Sequence, residues 1–198
     1  IRGAGSLLGN RQHGHMEAVG YDMYLKLLEE AVALEKGEAP AQNEEQECLI
    51  DLPVDANIPE AYIPATNQRI AMYKRIADIA GDADANDVYD ELTDRYGKPP
   101  QSVYGLVEIA LLRNRALALG LTEISQKNGA VLLYFSNLEP AWIPALNKGM
   151  YGRVLLYAGK KPYIALKPLP QESVVDTLRT AMEIMEAESR GAKAAKTE

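Results

Sequence analysis

With 198 residues, 47% of them hydrophobic and 25% charged, the chain is long enough for one good core plus an arm, and it has no apolar run of membrane-spanning length. Its net charge of −7 argues against autonomous DNA binding, which needs a basic patch, and suits a surface facing a basic protein partner or simply solvent. Cys48 is the only cysteine, so no internal disulfide can form; with no signal-peptide pattern at the start, a reducing cytoplasm is the expected location.

The chain opens on a glycine-dense stretch, Ile1 to Gly14, which carries Arg2, Arg11 and Gln12 and implies tight or left-handed backbone. It starts abruptly, and is expected to be the severed end of a larger machine with a complete second domain attached. Met16, Val19, Met23, Leu27, Ala31 and Leu34 then recur at helical spacing up to a cap at Gly37. So wide an apolar stripe wants cover that the arm alone cannot give. The chain is therefore expected to be a monomer whose arm, residues 1–36, is poorly anchored and open to exchange with a neighbouring molecule. A polar linker over 37–46 leads to a second domain over 47–190, with a frayed tail over 191–198.

In that domain Cys48, Ile50 and Leu52 alternate as a strand ending at Pro53, and Pro53 to Pro64 reads as irregular. Three helices follow. The first is capped by Thr66 and buries Ile70, Tyr73, Ala77 and Ala80; the second runs from about Asn86 to Tyr96 with Val88, Leu92 and Tyr96 inward. The third runs from about Ser102 to Leu119, burying Val103, Leu106, Val107, Ala110, Leu111, Leu117 and Ala118, with Gly120 as its cap. The texture then changes to β-formers: Thr122 to Gln126, Ala130 to Phe135, Arg153 to Tyr157 and Tyr163 to Leu166, with Asn128-Gly129 as a tight hairpin turn. A short helix is predicted over Pro140 to Lys148, and Pro170 is predicted to open a last helix with Val174, Leu178, Ala181 and Met185 on one face. Helices first and strands later indicate an α+β domain, helices packed on a small and mainly antiparallel sheet.

Little of this chain has the pattern of a site for chemistry. Gly152 to Lys161 has the wrong glycine spacing for a phosphate loop, so ATP hydrolysis by this chain is not expected. Asp82 to Asn86 starts like a calcium loop, but Asp87 occupies the glycine position and Thr93 that of the bidentate glutamate. His13, His15 and Glu17 do not converge on one metal ion, and Asp90 and Glu91, adjacent on a helix, point to different sides. Cys48 reads as packing and Trp142 as a core or edge anchor. No catalytic residue, metal or cofactor is therefore expected in this stretch. Asp87, Glu91 and Asp94, spaced four and three apart, line the solvent side of the second helix, where they gain nothing within the domain. On residues alone, Arg2-Gly3-x-Gly5 with Gln12-x-Gly14 is as readily a well-capped turn as a functional loop.

The opening stretch, Arg2 to Gly9 and Gln12 to Met16, with the helix from Gly20-Tyr21 to Val32, resembles the motif that follows the last helicase motif in DNA translocases of the RecG and transcription-repair coupling factor type. Ile63-Pro64, Asn67-Gln-Arg69, Tyr73-Lys-Arg-Ile-Ala77, Glu91 to Gly97 and Leu111-Leu112-Arg113 are similar to the C-terminal domain of the coupling-factor family and argue against the alternative, a RecG-like helicase. The resemblance implies a parent with ATP and Mg in its motor domains. That parent moves on duplex DNA, displaces stalled RNA polymerase and recruits UvrA. It implies that Arg2, Gly3, Gly5, Gln12 and Gly14 couple hydrolysis to translocation. It also implies that the domain masks the parent's own UvrA-binding module, with Asp87, Glu91 and Asp94 at that interface.

Overall fold

The computed structural model describes residues 48–195, and the arm and linker lie outside the described residues. The described chain divides into two compact units, one over Pro53–Asn114 and one formed by residues 48–52 together with 115–195. Its elements are those of an α+β fold, five helices and a five-stranded mixed sheet among the described residues.

The first unit is a strap followed by helices. Residues 53–65 contain three of the prolines, which remove backbone donors and keep the segment out of regular structure. Helix α1 (Thr66–Ala77) buries Arg69, Met72, Tyr73 and Ile76. Its inner face is thus rotated from the sequence expectation: Ile70 and Ala77 are half-buried and Ala80 is exposed, because a buried arginine joins the core stripe. Thr66 is the first helical residue, with Ala65 at the cap position, and its hydroxyl accepts from Arg69 Nη2 at 3.4 Å. Helix α2 (Asp82–Tyr96) starts four residues before the predicted Asn86. Asp82 and Asp84 sit in its first turn, where they offset the helix dipole, and Asp84 Oδ2 accepts the Ala80 N–H at 2.9 Å. Ala85, Val88 and Leu92 form its buried face, and Tyr96 is half-buried. Gly97, at φ +81°, ends the helix.

Helix α3 (Gln101–Ala118) follows Pro99-Pro100 and carries the chain from the first unit into the second. Ile109, Leu112 and Ala116 are buried where Leu111 and Leu117 were expected to be and are only half-buried; Ala118 is exposed. Gly105 is the point of closest approach, since a Cβ there would strike the backbone carbonyl oxygen of Asp55 in the strap.

The second unit is built on a sheet of order β1-β2-β3-β5-β4, with β1 (Leu49–Asp51), β2 (Leu121–Lys127), β3 (Ala130–Phe135), β4 (Val154–Tyr157) and β5 (Tyr163–Leu166). Only the β1–β2 pair is parallel; the long excursion through three helices between those strands permits it. β2 and β3 join through Asn128 and Gly129, at φ +52° and +75°, the primed turn that matches strand twist. Gly120, at φ +71°, ends α3 as expected.

Register sorts the sheet into two faces. Ile50, Ile124, Leu133 and Ile164 form one buried row. Glu123, Tyr134, Tyr163 and Tyr157 form a row on the other face. Helix α4 (Trp142–Gly149) packs on α5 (Val174–Ala195), where Trp142 Nε1 donates to Ser189 Oγ at 3.0 Å. Arg115 holds Glu186 of α5 through two hydrogen bonds, at 2.8 and 3.1 Å.

Pro170 does not open α5. The Ser173 hydroxyl accepts the Asp176 N–H at 3.0 Å and donates to the Asp176 carboxylate at 2.6 Å, so Ser173 caps the helix, which starts at Val174. Pro170 instead lies in a turn closed by Glu172, whose Oε2 accepts the Leu169 N–H at 3.0 Å and pairs with Arg153 Nη1 at 2.5 Å. The helix continues past Gly191 to Ala195.

Two outcomes follow from these contacts. Gly105→Ala should destabilise the first unit by at least about 2 kcal/mol in chemical denaturation, because backbone is what the new methyl meets. Glu172 is held below its ordinary pKa by the Leu169 N–H and the Arg153 guanidinium. Its stabilisation is therefore complete above the unfolded carboxyl's pKa and is lost as pH falls through the lower folded value. Glu172→Gln should lower the melting temperature at pH 7, and the gap to the parent chain should close on acidification through that window.

Candidate interdomain interface

The α2 helix carries six acids against the single base Arg95. Three of the acids, Asp87, Glu91 and Asp94, lie on one stripe, as their spacing predicts. Asp87 and Asp94 are exposed and Glu91 is half-buried. The expectation that all three gain nothing within the domain is corrected for Glu91. Its Oε1 takes a 2.5 Å hydrogen bond from Arg95 Nη1, one turn on, and its Oε2 lies 3.9 Å from Arg75 Nε on α1. A carboxylate between two guanidiniums is already neutralised locally, while exposed pairs of this kind contribute only about 0–1 kcal/mol each. Outward negative charge on this stripe thus rests on Asp87 and Asp94. The Arg95 guanidinium also lies 4.9 Å from the Tyr96 ring centroid, so the cation is held from two sides.

Behind this stripe the helix is fixed by the strap. The Tyr62 hydroxyl donates to Gly97 O at 2.8 Å, with Leu92 O at 3.2 Å alongside, and its ring meets the Tyr96 ring edge-on at 6.0 Å. Tyr73 of α1 accepts the Ile58 N–H at 2.8 Å, and Asn57 N–H donates to Ser102 O of α3 at 3.1 Å. Arg69 Nη1 donates to Ile63 O at 2.7 Å and Pro64 O at 2.9 Å, so a buried guanidinium satisfies two strap carbonyls that no strand or helix could reach. On the other flank Tyr89 packs on Tyr104 at 5.0 Å, and its phenol is pushed up to about 12, first by burial and then by Glu108 and Tyr104.

The remaining expected site residues fall elsewhere. Arg2, Gly3, Gly5, Gln12 and Gly14 lie outside the described residues, as do His13, His15 and Glu17. Cys48 and Trp142 are buried. Among the described residues, no group of three His, Cys, Asp or Glu side chains could hold a metal ion, and no helix is long and apolar enough to cross a membrane. Arg69, Tyr62 and Gly105 do work that pattern reading passed over, because periodicity counts an arginine as surface and cannot see a strap lying on a helix. The one signal for Arg69 was its place in the Asn67-Gln-Arg motif.

The chain has relatives. Residues 52–144 match the family model of the TRCF domain. Transcription-repair-coupling factor of Bacillus subtilis (strain 168) is 41% identical over 143 residues, which cover 72% of this chain and 12% of that protein. The chain belongs to the TRCF-domain family. The transcription-repair-coupling factor of Escherichia coli (strain K12) is 37% identical over 152 residues, 74% of this chain and 13% of that protein. A crystal structure of the C-terminal domain of transcription-repair coupling factor has the same fold, at a TM-score of 0.65 and 18% identity, covering 76% of this chain and 99% of that one. The TRCF chain described here thus spans about an eighth of the length of the two relatives. Glu91, Asp94, Arg95 and the strap over 53–65 all fall within the matched TRCF region.

Arg69→Met should cost the TRCF domain about 2–3 kcal/mol, since it strands two carbonyls that a charged donor satisfied. Arg69→Lys should recover only part of this, because the shorter side chain has one nitrogen where arginine also places Nη2 against Thr66 Oγ1. Equal stability of Arg69→Met and the parent chain in urea titration would refute the anchoring role.

Proposed function

We propose that the chain is the regulatory C-terminal part of an ATP-driven DNA translocase that displaces stalled RNA polymerase and recruits nucleotide excision repair. In this reading the domain masks the module of the parent that binds UvrA, and the chain carries no chemistry of its own. The Arg2 to Gly14 loop couples ATP hydrolysis, performed with Mg in the parent's motor domains, to movement on duplex DNA. The relatives' names support the link between transcription and repair.

The observation that carries the masking role is the acid stripe of α2. Asp87 and Asp94 are exposed, lack among the described residues the counter-cations that Glu91 has, and stand on a helix anchored from behind by Tyr62. A rigid helix presenting unneutralised carboxylates suits a basic face on a partner module, and a rim of such pairs gives a contact that salt and conformational work can release.

The test uses full-length protein. Asp87→Arg with Asp94→Arg should let the protein capture UvrA without polymerase or ATP, while the wild type should begin to capture it only as salt rises. Both positions are exposed, so the fold should hold. Glu91→Arg is a poorer probe, because it would bring three arginines together at Arg75 and Arg95. A doubly reversed variant that folds normally and captures no more UvrA than the wild type would exclude the stripe as the latch.

A further inference from the structure

We propose that the open edge of β4 is a docking strand for an extended, acidic segment of a protein partner, which joins the sheet as a further strand. β4 ends the strand order and pairs with β5 alone. Lys167 N–H donates to Arg153 O at 3.0 Å, which makes Arg153/Lys167 a hydrogen-bonded pair. Hydrogen-bonded pairs alternate along an antiparallel ladder, so Leu155 and Tyr157 also bond toward β5. The N–H and C=O groups of Val154 and Leu156 therefore face the open side. This is the template that strand addition uses.

The side chains around this edge are those of a binding surface. Six large hydrophobic residues are exposed among the described residues, and five of them, Tyr151, Leu155, Leu156, Tyr157 and Leu169, belong to this region. Leu155 is 68% exposed in the strand itself, where an unused edge would carry a charge or a proline. Tyr151, just before the strand, is 90% exposed and held at φ +53°, a conformation that bulky residues seldom adopt without a reason.

Charge selects the occupant. From Pro140 to Gln171 the chain has no acid and five bases, in a protein of net charge −7. Arg153 is paired with Glu172 and Lys161 with Glu123. Lys148, Lys160 and Lys167 are exposed and make no ion pair among the described residues. A second copy of the chain, paired edge to edge, would bring the same bases together and be repelled. Single-stranded nucleic acid needs a run of open aromatic faces, more than the one that Tyr151 offers. Here Tyr157 and Tyr163 stack on each other at 4.9 Å, Tyr163 packs on Tyr134 at 5.4 Å, and Lys161 Nζ covers the Tyr134 ring at 4.2 Å. An extended segment with aliphatic residues flanked by acids matches the free backbone, the exposed leucines and the lysines together.

The experiment is selection of random displayed peptides, about a dozen residues long, on the full chain, followed by titration of the enriched peptides. Enriched sequences should carry acids around a proline-free aliphatic centre. Leu156→Pro removes one outward N–H and leaves the β5 ladder intact, so it should weaken these peptides by about tenfold or more with little change in melting temperature. Lys148→Glu with Lys160→Glu, both exposed and so compatible with folding, should weaken them about tenfold at low salt and less at high salt. If Leu156→Pro does not fold, the charge-reversed chain decides alone. The proposal is overturned if acidic sequences are not enriched, or if the peptides bind the charge-reversed chain as tightly as the parent. It is also overturned if the chain dimerises through β4 in sedimentation, or if it binds an oligothymidine in a way that Tyr157→Ala abolishes.

Discussion

Arg69 reaches from the first turn of α1 to the carbonyls of Ile63 and Pro64, and much of the first unit depends on that reach. A proline-rich strap has few donors and makes no ladder, so its carbonyls must be met by side chains or water. Arg69 meets two of them, Tyr73 takes the Ile58 N–H, and Tyr62 ties the strap to the end of α2. The strap in turn lies so close to α3 that only glycine fits at 105. One irregular segment thereby touches all three helices, and its order sets theirs. A core arginine at the cost of desolvation is stable only because each carbonyl is aimed at it.

The electrostatics of α2 follow from the same anchoring. Six acids on one helix repel mildly, and the C-terminal end of that helix is held where Tyr62 donates to Gly97 O. Among the described residues, Arg75 and Arg95 neutralise Glu91 alone within the stripe. The helix therefore presents a graded face, with one satisfied carboxylate between two available ones. Such a face distinguishes a basic partner from solvent more by geometry than by total charge.

The second unit shows the opposite balance. Its β2–β3 hairpin is dictated by Asn128-Gly129, because few other pairs adopt two left-handed conformations in succession. One buried row crosses it through Ile50, Ile124, Leu133 and Ile164, and helices α4 and α5 are joined by Trp142 and Ser189. The other face carries a tyrosine row that packs against itself, and the sheet ends in an edge that is apolar in side chain and basic in setting.

Much of this is legible in the sequence. Ala130–Phe135 and Tyr163–Leu166 coincide with the strands read from β-formers between glycine turns, and Val88 and Leu92 face inward as spacing requires. The acid stripe was legible too, since i, i+4, i+7 spacing alone places Asp87, Glu91 and Asp94 together. Composition, turn residues and periodicity are local properties, and they determine which elements exist and how they are punctuated. The rotation of α1, the place of Pro170 in a turn before α5 and the partner of Glu91 were decided by tertiary structure. In each case a polar group took its place from residues far along the chain or across a turn: carbonyls that draw Arg69 inward, a carboxylate that closes the Leu169 turn on Arg153, and Arg75 reaching from another helix. The parallel pairing of β1 with β2 and the exposure of β4 belong to the same class, because no property of a strand read alone says which neighbour it will have or lack.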